Sequence, residues 1–146
     1  MRILNLGCGK DILPGATNVD IIDFPGVDIV CDLSDMPWDL GTDYDEIIAH
    51  DIIEHIAPIR SRIYIEFVEE CWRLLKPGGT VEIRTCGLND SLSRDPSHFK
   101  SFHKDSMDYF VPGTFWHDKY EYSKCKFEKV YAEAEGENVR FILRKI

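Results

Sequence analysis

One short stretch constrains this chain more than any other: an apolar run that stops at a Gly-x-Gly turn and is answered by an acid behind the next apolar run. Residues 3–6 read Ile-Leu-Asn-Leu, the pattern breaks at Gly7-Cys8-Gly9, and it resumes at Val19 with Asp20 directly behind. A buried strand feeding such a turn bares its backbone, because glycine carries no Cβ, and lets a ligand approach closely. An acid ending the neighbouring strand can accept hydrogen bonds from a ribose diol. Together these features suit a nucleoside-containing ligand.

Apolar runs at 18–22, 28–31, 44–49 and 80–85 read as further strands. Between them, residues 59–75 carry Ile63, Phe67, Cys71 and Leu74 at helical spacing, with Arg60, Glu66, Glu69 and Arg73 on the wet side. Lys76-Pro77-Gly78-Gly79 stops that helix. Residues 87–125 are less regular and rich in aromatics and histidine, with one short helix expected near 104–110. The runs 127–134 and 138–146, joined by Glu135-Gly136-Glu137, read as an antiparallel hairpin. This order predicts an α/β fold of mostly parallel strands in a single domain, residues 1–146.

Composition narrows the partners. A formal charge of −9 repels phosphate backbones and argues against nucleic acid. Five cysteines, odd in number and never spaced as CxxC, argue for a reducing, cytoplasmic compartment and against a disulfide frame or a zinc site. No signal peptide and no apolar run of membrane-spanning length is present, so no membrane partner is expected.

In their order along the chain, the motifs resemble those of class I S-adenosylmethionine-dependent methyltransferases over nearly the whole length. Leu4-Asn5-Leu6-Gly7-Cys8-Gly9 resembles that family's glycine-rich first motif, Val19-Asp20-Ile21 its ribose-binding strand end, and Cys31-Asp32-Leu33 the segment that holds adenine. Residues 44–50 followed by Ile53-Glu54-His55-Ile56 are similar to the fourth strand and its continuation. Leu74-Leu75-Lys76-Pro77-Gly78-Gly79 matches the turn before strand five, and Asp95-Pro96-Ser97-His98 with Phe102 a segment after it. The resemblance implies a Rossmann-like sheet in the class I order and S-adenosylmethionine as cofactor. It further implies methyl transfer to a small-molecule or glycan-type acceptor by in-line displacement, with the cofactor supplying the leaving group.

Carried onto this sequence, the resemblance places Gly7, Cys8 and Gly9 against the methionyl part of the cofactor and Asp20 and Ile21 at the ribose. Asp32 and Leu33 fall at the adenine, and His50 near the sulfonium. An Asx turn ahead of Ser34-Asp35 is the competing reading of Asp32. His98, His55 and His103 are the available bases, because imidazole is the side chain that titrates near neutrality. The aromatic stretch 91–122 reads equally as acceptor side or as a satellite core.

A metal reading of HDIIEH, residues 50–55, fails on spacing. Three residues separate His50 from Glu54 where the helical H-x-x-E-H pattern needs two, and nothing places His98 and His103 on one helical face. No metal is therefore expected. Residues 10–18 and 22–28 are too short for crossover helices, and the chain starts at strand one. One sheet face thus loses three helices. Since parallel sheets are normally covered on both sides, that face is expected to be buried by a second copy, a homodimer, or by loops 10–17 and 33–42. The competing functions are a degenerate, non-catalytic cofactor-binding or protein-interaction module and a nicotinamide-dependent oxidoreductase. Against the latter, Ile12 stands where a dinucleotide fingerprint needs its third glycine.

Overall fold

The computed structural model describes residues 1–88 and 91–146, with Ser91 described by its backbone alone. Seven strands form one sheet: β1 (Ile3–Leu6), β2 (Thr17–Asp20), β3 (Ile29–Val30), β4 (Tyr44–His50), β5 (Leu75–Cys86), β6 (Phe127–Glu135) and β7 (Asn138–Lys145). Their spatial order is β3-β2-β1-β4-β5-β7-β6. The first five strands run parallel, and β7 pairs antiparallel with both β5 and β6. The expected α/β fold, Rossmann-like order and terminal hairpin are all present.

Several boundaries differ from the sequence reading. β2 ends at Asp20, so Ile21 and Ile22 stand in solvent past the strand. The long helix, α1, occupies Ile63–Leu74 and leaves Ile59 exposed. β5 begins at Leu75, pairs with Tyr44, and rejoins β4 at Thr80 after residues 76–79 loop out of register. Gly79 is required there, since a Cβ would meet the Tyr44 carbonyl oxygen at 2.8 Å. The helix expected near 104–110 is a 3₁₀ segment, Ser106–Phe110. A four-residue helix, α2 (Ser91–Arg94), and α3 (Phe115–Tyr120) were not anticipated. α3 starts where Thr114, following Pro112-Gly113, caps the His117 amide with its hydroxyl.

The core lies on one side of the sheet. Leu4, Leu6, Ile47, Ala49, Val81, Ile83, Val139, Phe141 and Leu143 alternate along their strands and are all buried, facing Ile63, Phe67, Val68, Cys71 and Leu74 of α1. Complete burial of each large apolar side chain stabilises the fold by about 1.5–3 kcal/mol. Loop 33–42 joins this side too. Trp38 stands edge-on to Phe67, with ring centroids 5.1 Å apart. Its indole donates to the Leu33 carbonyl, and its amide donates to Glu70 of α1.

The opposite face is only partly covered within one chain. Register puts Glu46, Ile48 and His50 beside Thr80, Glu82 and Arg84, and these beside Arg144, Ile142 and Arg140. All are half-buried rather than sealed. His50 Nε2 meets Glu82 Oε1 at 2.7 Å, Arg140 reaches Glu82 and Glu135, and Arg144 pairs with Glu128. Of the two loops expected to cover this face, only 10–17 does so. The side chains of Asn5 and Asn18 hold it there through Asp11 and Leu13.

Candidate active site

The Gly-x-Gly turn and the carboxyl ends of β2 and β4 enclose two hollows that meet at Gly7. The larger, about 350 Å³, lies between loop 10–17 and the polar face and is lined by Gly7, Cys8 and Gly9 with His50, Asp51 and Arg84. The other, about 260 Å³, runs along the ends of β2 and β3 past Gly7, Asp20, Ile21, Asp32, Leu33 and His55. Every residue that the sequence reading assigned to a cofactor lines one hollow or the other.

Gly7 holds a φ of +62°, and a Cβ on it would lie 2.5 Å from the Ile52 side chain. The close approach that this glycine permits is therefore made by Ile52, which lines the smaller hollow. Gly9, at φ +53°, has nothing within 4 Å of where a Cβ would be, and so offers the bare backbone. Asp20 is buried beside it. Its Oδ2 accepts from the Gly9 amide at 2.8 Å and its Oδ1 from the Ile22 amide at 2.9 Å. Each carboxylate oxygen retains a second lone pair for a hydroxyl donor. Burial, and then the charge of Asp20, push the Cys8 thiol above its ordinary pKa, so it stays protonated at neutral pH.

Asp32 does form the Asx turn: Oδ1 accepts from both the amide and the hydroxyl of Ser34, bonds that hold its carboxyl below the usual range. The Asx-turn reading therefore holds, and the turn keeps the Asp32 carboxylate at the rim of the hollow beside buried Leu33. His50 points across the polar face to Glu82. Asp51 and Arg84, which the sequence reading passed over, form an ion pair in the larger hollow.

Beyond β4 the 3₁₀ turn Ile53–His55 brings a third group together. Glu54 is 1% exposed, and its Oε2 accepts from Thr85 of β5 at 2.8 Å. Burial pushes its carboxyl above the ordinary value. Its carbonyl accepts from the Phe99 amide at 2.8 Å, which carries the 95–98 segment over the turn. There the His55 and His98 rings meet edge to face with centroids 4.6 Å apart. Donor atoms of Glu54, His55 and His98 all lie within 4.8 Å of one another. His103 turns to Asp105 and lies outside this cluster.

Part of the aromatic stretch is a satellite core, with Phe102, Met107 and Phe110 buried. Tyr109 stacks between Trp116 and Tyr122. A separate apolar hollow of about 240 Å³, beside Tyr64 and Phe102, shares no lining residue with the two that meet at Gly7. Residues 89 and 90, which precede the stretch, lie outside the described residues.

No protein-family model matches the chain. It is 26% identical over 106 residues to the ubiquinone biosynthesis O-methyltransferase of Chelativorans sp. (strain BNC1), a match covering 58% of this chain and 40% of that protein. The chain thus spans about two fifths of the length of this curated relative. Among solved structures it resembles a SAM-dependent methyltransferase from Methanosarcina mazei, with a TM-score of 0.64, 16% identity, and coverage of 99% of this chain and 92% of that one. It also resembles the N-methyltransferase NodS from Bradyrhizobium japonicum WM9, solved with S-adenosyl-L-homocysteine, with a TM-score of 0.62, 10% identity, and coverage of 99% and 77%. The fold is that of the class I S-adenosylmethionine-dependent methyltransferases, in agreement with the motif order in the sequence.

Proposed function

We propose that the protein transfers a methyl group from S-adenosylmethionine to a small-molecule acceptor. The observation that carries this reading is the pair of hollows joined at Gly7, with the Asp20 carboxylate braced by the Gly9 amide at their junction. Asp20 receives the ribose hydroxyls, while Asp32, Leu33 and Ile21 frame the adenine. Gly7, Cys8, Gly9 and His50 border the methionyl end. The cofactor, when bound, supplies the methyl on a sulfonium that leaves as a neutral thioether. What the chain contributes is alignment, which can supply about 7–11 kcal/mol of a displacement barrier. His55 lines the smaller hollow with His98 against it, which puts the acceptor on this side, and the curated relative, by its name, is an O-methyltransferase.

A cytoplasmic setting accords with five cysteines that are all free. The homodimer expected from the helix-poor sheet face finds no support in that face, which is polar and ion-paired.

Calorimetric titration with S-adenosylhomocysteine tests the reading. One site per chain is expected. Asp20→Asn should weaken binding about 10–100-fold, since a hydrogen bond to a charged group is worth about 1.5–3 kcal/mol. A thermal melt confirms that the variant is folded. Absence of binding to the folded wild-type protein would overturn the proposal.

A further inference from the structure

We propose that Glu54, His55 and His98 form a binding site for one divalent cation of the zinc or manganese type. Two imidazoles and one carboxylate make a donor set suited to borderline divalent metals, and too rich in nitrogen for calcium or magnesium. Three donors each about 2.0–2.2 Å from one ion lie about 3.3–3.8 Å from one another. The donors observed within 4.8 Å of one another would close by about 1 Å, within reach of small side-chain rotations.

Two further observations point to a cation. First, among the described residues no lysine or arginine pairs with Glu54, whose carboxylate is sealed from solvent and receives one side-chain hydrogen bond, from Thr85. With no direct ion pair and only the more distant charge of Arg84, a carboxylate buried in this way is short of the counter-charge that burial normally demands. Second, each of the three groups has an outer partner. Ser97 gives its hydroxyl proton to Asp95 Oδ1 at 2.6 Å, so at 2.9 Å from His55 Nδ1 it acts as acceptor, and the His55 lone pair falls to Nε2. Asp95 Oδ2 lies 3.3 Å from His98 Nε2. One carboxylate, Asp95, thereby contacts the His98 ring directly and the His55 ring through Ser97. Such outer hydrogen bonds are what orient imidazoles on a metal and raise their basicity. The H-x-x-E-H test applied to the sequence could not find this site, because its third ligand arrives from the segment after β5.

His55 also lines the hollow that holds Asp20 and Asp32, so an ion here would border the proposed cofactor site. Its role rests on the methyl-transfer reading. The cation would hold an oxygen acceptor whose hydroxyl proton passes to solvent. That oxygen forms the new C–O bond as the C–S bond breaks and its electron pair returns to sulfur.

Chelator-treated protein titrated with zinc, manganese and magnesium chlorides tests the site. We expect one zinc per chain, manganese weaker and magnesium weaker still. Cobalt(II) should give an N/O-ligand spectrum without a thiolate charge-transfer band. His98→Ala and, separately, His55→Ala should each weaken zinc binding at least tenfold, and Ser97→Ala about 10–100-fold. S-adenosylhomocysteine titrated into the same samples separates the two proposals: nucleoside binding without metal binding overturns the cation site alone. A thiolate band, or zinc affinity unchanged in both histidine variants, also overturns it.

Discussion

Gly7 and Gly9 look equivalent in sequence and do different work in the fold. Gly7 accommodates Ile52, whereas Gly9 is open toward the larger hollow and donates to Asp20. Gly7→Ala combines a left-handed backbone, costing about 1–2 kcal/mol, with overpacking against Ile52, costing about 1–3 kcal/mol. Urea unfolding should show a loss of about 2–5 kcal/mol. Ile52→Ala in the same chain should couple favourably with it in a double-mutant cycle, because it removes the collision and leaves the backbone strain. Additive losses would mean that Ile52 is not what Gly7 is there to admit.

At the scale of elements, α1 is held to loop 33–42 by a polar clasp as well as by its apolar stripe. Burial alone would push the Glu70 carboxyl up. The Arg73 guanidinium and the Trp38 amide outweigh that effect and hold it below its ordinary range. A carboxylate with a depressed folded pKa contributes its stability above the unfolded value, about 4.3. That contribution is lost as pH falls from there through the lower folded value. Acid titration of the unfolding free energy should therefore show a component in this window that Glu70→Gln lacks. The Trp38 fluorescence should change with it. An acid limb identical in the two proteins would remove the clasp from the list of stabilising contacts.

For the molecule as a whole, the uncovered sheet face is managed by charge. Along β5 and β7 the residues facing outward, Glu82, Arg84, Arg140 and Arg144, alternate with the buried Val81, Ile83, Phe141 and Leu143. A half-solvated face of this kind needs no partner to hide it, and ionic pairs spread across it neutralise one another. Light scattering is expected to give the mass of one chain at micromolar concentration. A dimer that dissociates on Arg140→Glu would instead place a second copy on this face. Among the described residues, no helix is long and apolar enough to cross a membrane.

The period-two alternation Val-Glu-Ile-Arg-Thr of residues 81–85 already carried the wet face in the sequence. It was outweighed by the expectation that parallel strands are covered on both sides. Strand positions, the turn at Gly7-Cys8-Gly9 and its answering acid Asp20 were legible because they depend on spacings within some twenty residues. So was the class of fold, since motif order along the chain reflects strand order in the sheet. Other features had to wait for the sheet register and the path of the chain after β5. These are Ile52 on Gly7, Asp51 with Arg84, Trp38 on α1, and His98 beside Glu54 and His55. Each joins side chains whose meeting is decided by packing between elements, and local periodicity carries no record of that.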